Sequence, residues 1–273
     1  MVRTCRLAAV LLALACILTR AGGRADQPTP VDLQLVLAVD SSGSIDADEF
    51  RLQMRGLSAA FRNPDILSAI KRGAIGAIAV TLIEWSGVDQ QHQSIAWTMI
   101  SDEESMALFA DQLASTPRFI PGGSTSVSEA LNYSGNLFAT SGFTSDRRVI
   151  DVSGDGSNNN GVPPEEVRDR LVAAGVVING LAILNDEPNL KEYYAASVIG
   201  GPGAFVLVAE SYRTFSDAIQ HKLVQEIAAV PPPTRLAMRA RPLTAALTPA
   251  PGRRPAAPCR RRSPRAPSRA ARR

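Results

Sequence analysis

Leu33-Gln34-Leu35-Val36-Leu37-Ala38-Val39-Asp40-Ser41-Ser42-Gly43-Ser44 passes from apolar to oxygen-rich within twelve residues. Its first half, broken only by Gln34, has the near-continuous Leu/Val/Ala composition of a strand buried on both faces of a parallel sheet. Its second half sets a carboxylate at Asp40 and hydroxyls two and four residues on, at Ser42 and Ser44. At the carboxyl end of a strand, that spacing turns three oxygens toward one point. Hard divalent cations bind oxygen, and Mg2+ keeps a small site with few carboxylates and several waters. Read alone, the segment is equally a strand that ends in a Ser-rich turn, with Asp40 or Ser44 capping the next helix. Capping, however, employs one side chain and leaves the others unexplained.

Two later loops carry complementary oxygens. Pro121-Gly122-Gly123-Ser124-Thr125-Ser126 precedes a helical pattern at Val127, Ala130, Leu131, Leu137 and Phe138, which places Thr125 on a Gly-rich turn at a helix start. Val149-Ile150-Asp151-Val152-Ser153-Gly154-Asp155-Gly156 is an apolar strand that runs into an acidic Gly turn. Open parallel sheets bind ligands in the crevice at the carboxyl ends of their strands. Taken singly, Thr125 is a helix cap and Asp155 a turn carboxylate; with the first loop, the two complete an oxygen site.

These three segments resemble the von Willebrand factor type A domain, whose metal-ion-dependent adhesion site (MIDAS) combines D-x-S-x-S, a later Thr and a later Asp before Gly. The match falls on Asp40, Ser42, Ser44, Thr125 and Asp155. Gly122-Gly123-Ser124-Thr125-Ser126-Val127-Ser128-Glu129-Ala130-Leu131 is similar to the family's G-G-x-T-x-T-G-x-A-L, with Val127 in place of the second Thr and Ser128 in place of the Gly. The likeness spans residues 30–229, and the 153–161 segment is closest to uncharacterised secreted bacterial A-domain-like proteins. It implies that the serines and Thr125 hold Mg2+ or Mn2+ (Ca2+ is also compatible). The two aspartates would act largely through coordinated water, and an Asp or Glu of a protein partner would complete the octahedron. It further implies that the closing helix is the element that responds to ligand.

The remaining pattern agrees with a doubly wound α/β domain. The sheet is expected to be mainly parallel with one antiparallel edge hairpin strand and helices on both faces. Helices are expected over 46–61, 102–113 and 215–227, and from Pro163-Pro164-Glu165-Glu166 to Gly175, whose prolines and acids suit a helix start. Strands are expected over 73–85, 176–184 and 204–208, with a hairpin turn at 87–91 and a return arm at 94–100. Residues 26–230 are ample for one such domain.

The two ends read differently. Arg3 and Arg6 precede an apolar run at 7–18, and Gly23-Arg24-Ala25 offers small residues at cleavage spacing, so residues 1–25 read as a signal peptide of a secreted or periplasmic protein. Leu12-Ala13-Leu14-Ala15-Cys16 is a faint lipoprotein box overrun by Ile17 and Leu18. The three cysteines, Cys5, Cys16 and Cys259, all lie outside 26–230. Residues 231–273 are rich in Pro, Ala and Arg and read as a disordered tail. Its basic charge suits anionic surfaces, and its composition is equally that of an unselected or frame-shifted string. The whole chain carries +3, yet residues 26–230 alone carry −13 once the arginines of both ends are set aside. An acidic domain is a poor match for nucleic acid.

Enzyme signatures are sparse. A dehalogenase-type phosphatase needs a second Asp where Ser42 stands, and there is neither a Gly-x-Ser-x-Gly elbow nor a P-loop. His92 falls in the hairpin turn and His221 on the closing helix, where solvated surface positions are expected, and Glu84, Trp85 and Trp97 fall on the hairpin strands. The expectation is therefore a non-enzymatic, metal-dependent protein-binding domain without a transmembrane segment. A Mg2+-dependent hydrolase and a scaffold with a vestigial site are the alternatives.

Overall fold

The computed structural model describes residues 27–229; the expected signal peptide and basic tail lie outside them. After a two-residue strand β1 (Thr29–Pro30), β2 spans Leu33–Asp40 and is buried along its whole length. Successive side chains of a strand point to opposite faces. Leu33, Leu35, Leu37 and Val39 accordingly enter one apolar layer, and Val36 and Ala38 the other. Gln34, the polar break in this run, is buried and donates from its amide to the Ser141 hydroxyl at 2.8 Å.

Beyond β2 the chain forms α1 (Ala47–Ala60), α2 (Pro64–Lys71), β3 (Ile78–Trp85), β4 (Gln91–Ile100), α3 (Glu103–Ser115) and α4 (Val127–Leu137). It continues through β5 (Phe143–Thr144), β6 (Arg148–Gly154), α5 (Pro164–Ala173) and β7 (Val176–Ile183). The last elements are α6 (Leu190–Tyr193), which runs on into a π turn (Tyr194–Val198), β8 (Val206–Ala209) and α7 (Phe215–Ala228). The main sheet has the order β4-β3-β2-β6-β7-β8, with every neighbouring pair parallel except β3 and β4. Thus the expected α/β architecture, including the antiparallel edge hairpin, is the observed one. One helical layer (α1, α2, α3, α7) packs through Phe50, Phe61, Ile66, Phe109 and Phe215; the other (α4, α5, α6) packs through Val127, Leu131, Val167 and Leu190.

Several boundaries differ from the sequence expectation for identifiable reasons. The strand expected from 73 begins only at Ile78. The amides of Ile75 and Gly76 turn aside to the Asp32 carboxylate, the latter at 2.7 Å. The return arm begins earlier than expected, at Gln91, because Ser86 and Gln90 close the turn with a 2.9 Å backbone bond. Helices α2 and α6 and the small β1–β5 pair were not expected, since each is too short to show a clear apolar period.

Helix α1 fixes where the first loop ends. Asp46 is its N-cap and accepts from the amides of Asp48 and Glu49 at 2.7 and 2.8 Å, while Glu49 accepts from the Asp46 amide at 2.9 Å. This capping box holds the loop between Asp40 and Asp46 at its exit; such caps are worth about 1 kcal/mol. The loop's entry is held by the end of β2.

A second buried polar group lies away from that loop. Lys222 of α7 is fully buried, and its ammonium is 2.6 Å from both Asp151 of β6 and Glu226 one turn along α7. Asn179 of β7 donates to Glu226 at 2.9 Å. Burial, and after it the charge of Asp151, push the Glu226 carboxyl up to about 8. The cluster ties the closing helix to two central strands through charge rather than apolar contact alone. Removing one member of such a buried pair leaves the others uncompensated. Lys222→Met is therefore expected to lower the unfolding free energy by about 3–5 kcal/mol, as read from urea denaturation of the chain.

Candidate metal centre

All five oxygen side chains singled out in the sequence lie at the carboxyl edge of the sheet. Asp40 is the last residue of β2 and Asp155 directly follows β6, the strand paired beside it. Between these strands the chain order switches direction, which is where open α/β sheets form their crevice. Asp40 Oδ1 accepts from the Ser42 amide at 2.7 Å. The Ser42 and Ser44 hydroxyls are 3.3 Å apart, and Ser44 donates to Asp155 Oδ1 at 2.8 Å. A continuous line of oxygens thus runs from Asp40 through the two serines to Asp155. Asp40, Ser42 and Asp155 are buried beneath it, whereas Gly43 and Ser44 face solvent.

Thr125 approaches from the second loop. Its backbone is clasped by Asn159, whose side chain accepts from the Thr125 amide and whose amide donates to the Thr125 carbonyl, both at 2.9 Å. The Thr125 hydroxyl stands 3.7 Å from the point where a Cβ on Gly156 would sit. The Gly43 amide donates to the Gly123 carbonyl at 2.8 Å, joining the first loop to this one. Gly123 has a φ of 140° in the left-handed region, and a side chain there would strike Ser86 and Gln90. The glycine pair before Thr125 is thus a requirement of the turn.

Several residues that the sequence reading did not single out hold these loops together. The Arg118 guanidinium donates to the Ser41 hydroxyl at 2.8 Å and to the carbonyls of Ser41 and Ser42 at 3.0 and 3.2 Å. Glu84, expected only to fall on a hairpin strand, is buried; it accepts from the Ser94 hydroxyl at 2.7 Å and from the amides of Phe119 and Ile120 at 2.9 and 3.1 Å. It thereby anchors the segment that carries Arg118. Its signal was available: a carboxylate inside an otherwise apolar strand needs a partner. The run Asn158-Asn159-Asn160 works in the same way. Asn158 accepts from the Ser128 amide in the first turn of α4 at 3.2 Å and Asn160 from the Val88 amide in the hairpin turn at 3.0 Å, so one short run grips two separate segments. His92 and His221 are exposed, as expected.

The electrostatics of this corner are unfavourable as they stand. Burial, followed by the nearby charge of Asp155, raises the Asp40 carboxyl from its ordinary 3.8 to about 7. Burial also raises Asp155, opposed by the hydrogen bond from Ser44. Asp40 Oδ2 and Asp155 Oδ2 are both buried without a hydrogen-bond partner. Two inward-facing carboxylates, each with an unpaired oxygen and joined by hydroxyls, form a donor set that fits a hard divalent cation. Among the described residues no three His, Cys, Asp or Glu side chains converge. The corner is therefore of the carboxylate–hydroxyl kind, unsuited to a soft, sulfur- or imidazole-bound metal.

The family described as "Protein of unknown function (DUF1194)" matches residues 30–231. The chain belongs to this family. Its fold is that of the von Willebrand factor type A domain. Proximal thread matrix protein 1 from the mussel byssus is similar to this DUF1194 chain at 18% identity and a TM-score of 0.53, over 73% of this chain and 47% of that one. A structure of the same mussel protein with a zinc-occupied MIDAS motif gives 14% identity and a TM-score of 0.52, over 73% and 49%. A von Willebrand factor type A protein from Catenulispora acidiphila gives 14% identity and a TM-score of 0.50, over 72% and 43%. The DUF1194 chain thus spans about half the length of these solved chains, or less. No protein of curated function matches its sequence.

The raised Asp40 carboxyl has a definite consequence for stability. A carboxyl held above its ordinary value favours the folded state while protonated and loses that contribution as pH climbs to its folded value. In the presence of chelator, the stability of the chain should fall between about pH 4 and pH 7. Asp40→Asn should remove the part of that slope due to this group, measured as urea midpoints across the range.

Proposed function

We propose that this DUF1194 chain is an exported, metal-ion-dependent binding domain that captures an acidic side chain of a protein partner. In this reading Ser42, Ser44 and Thr125 hold Mg2+ or Mn2+ through their hydroxyls, with Ca2+ also compatible, and Asp40 and Asp155 act largely through coordinated water. The observation that carries it is the pair of buried carboxylate oxygens at Asp40 and Asp155, each without a partner, at the solvent-facing carboxyl edge of the sheet. With few direct carboxylates, the bound ion supplies a positive centre that is not fully neutralised, to which an incoming Asp or Glu is a strong ligand.

The protein's own groups prepare that centre. Arg118 and the Gly43–Gly123 bond fix the first loop against the second, while Asn159 fixes the second against the third. Loops locked in this way have little conformational entropy left to lose when a ligand arrives. Export rests on the Arg-flanked apolar run and cleavage-like residues of 1–25. Among the described residues no helix is long and apolar enough to cross a membrane. The basic residues of 231–273 would supply a second, weaker contact with anionic surfaces.

Calorimetric titration of the chain with Mg2+ and Mn2+ tests the reading. Saturable binding is expected, and it should be lost in both Asp40→Ala and Asp155→Ala; absence of metal binding in the unsubstituted chain would overturn the assignment. Ser42→Ala and Thr125→Ala separate binding from hydrolysis. Both should abolish metal-dependent capture of an acidic partner, whereas a Mg2+-dependent phosphatase would keep turning over a phosphate monoester when a non-nucleophilic hydroxyl is removed.

A further inference from the structure

Among the described residues, buried side-chain atoms without a hydrogen-bond partner fall into two groups. Asp151 Oδ2 and Glu226 Oε2 belong to the Lys222 cluster. The other six are Asp40 Oδ2, Asp155 Oδ2, Gln53 Oε1, Trp85 Nε1 and the hydroxyls of Tyr194 and Tyr212. These gather around the metal corner: Gln53 donates to the Asp40 carbonyl, Trp85 pairs with Asp40 across β2 and β3, and Tyr212 faces the Asp155 carboxylate. Three of the six are donors, and two of these, the hydroxyls of Tyr194 and Tyr212, lie near the carboxylates of Asp40 and Asp155 respectively.

Tyr194 is the donor with the most deliberate placement. It opens the π turn after α6, an irregularity that frequently marks functional positions. Its side chain lies over two glycines on adjacent strands. A Cβ on Gly180 would come within 2.7 Å of Tyr194 Cδ1, and a Cβ on Gly154 within 2.8 Å of its hydroxyl. That same point at Gly154 is 2.8 Å from Asp40 Oδ2 and 3.2 Å from Cζ2 of the Trp85 indole. The missing side chains at 154 and 180 therefore let a fully buried tyrosine carry its hydroxyl across the sheet to a position beneath Asp40. Two unpaired groups that each lie 2.8 Å from one point are close enough to be bridged by one water, which needs two to four polar partners; Tyr194 and Asp40 provide two.

We infer that Tyr194 is a positioning residue for the metal centre, its hydroxyl hydrogen-bonding Asp40 Oδ2 across one buried water and so setting the direction in which Asp40 faces the cation. The inference rests on the metal-binding reading above. Groups that orient a metal's ligands typically govern affinity by about 10–100-fold. Gly154 and Gly180 become part of the site under this inference, although neither presents a side chain to it.

The test is Tyr194→Phe in the full chain, titrated with Mg2+ and Mn2+ by calorimetry beside thermal unfolding in chelator. Because the hydroxyl has no direct partner, the metal-free melting temperature should stay within about 3 °C, while metal affinity falls by about 10–100-fold. Gly180→Ala crowds the ring and removes no polar atom, and it should lower affinity in the same direction. In a Trp97→Phe background, Mg2+ should shift the emission of Trp85, and adding Tyr194→Phe should suppress that shift. Unchanged affinity and emission in Tyr194→Phe would overturn the inference alone. Affinity loss accompanied by an equal collapse of metal-free stability would also overturn it, by making the tyrosine a packing residue. Failure of the unsubstituted chain to bind either ion would overturn the metal reading and this inference with it.

Discussion

A carboxylate at the end of a fully buried strand is the constraint around which this domain is organised. Asp40 leaves water completely, and only one of its oxygens finds a hydrogen bond. Burying such a group without full compensation costs several kcal/mol, so its neighbourhood must be stiff enough to keep it there. Stiffness comes from three directions. The capping box of α1 holds the loop's exit, Arg118 ties its carbonyls to the 118–120 segment, and the Asn158–Asn160 run binds that side to the third loop. The capping box is local, but the other two ties link residues distant in the chain, so the corner exists only once the sheet has formed.

The architecture was legible because its signals are periodic and local. The apolar run of β2, the alternation of strand and helix patterns and the acidic helix starts each follow from a few neighbouring residues. The five oxygen side chains were legible through their spacing and through likeness to a known motif, and the fold brings all five to one edge. What surrounds them was not. Arg118 lies in a segment with no regular pattern, and its partners Ser41 and Ser42 lie more than seventy residues away. Tyr194 sits in a π turn with no distinctive period, and the role of Gly180 appears only when the ring across it is known. Glu84 stood in plain view as a charge in an apolar strand, but naming its partners required the 119–120 amides to be placed. Short helices such as α2 and the π turn lack the length that makes a period readable.

The two buried polar groups differ in kind. At the carboxyl edge, Asp40 and Asp155 each keep a buried, unpaired oxygen close to a solvent-exposed loop. Around Lys222 two carboxyl oxygens are also unpaired, but the ammonium lies 2.6 Å from both carboxyl groups and the cluster is shut away from solvent, as in a structural tie. The contrast lies in whether an opposite charge is supplied from within the chain.

The spacing within the Lys222 group also sets a mechanical register. Lys222 and Glu226 are one helical turn apart on α7, and a turn advances about 5.4 Å. If α7 slid one turn toward its own N-terminal end, Glu226 would arrive opposite Asp151, setting two buried carboxyl groups against each other with no cation between them. A slide in the other direction would bring Ala218 there and leave Asp151 with no cation at all. Both neighbouring positions lose the cation that Asp151 now has, so the Lys222 group keys α7 to one register against β6.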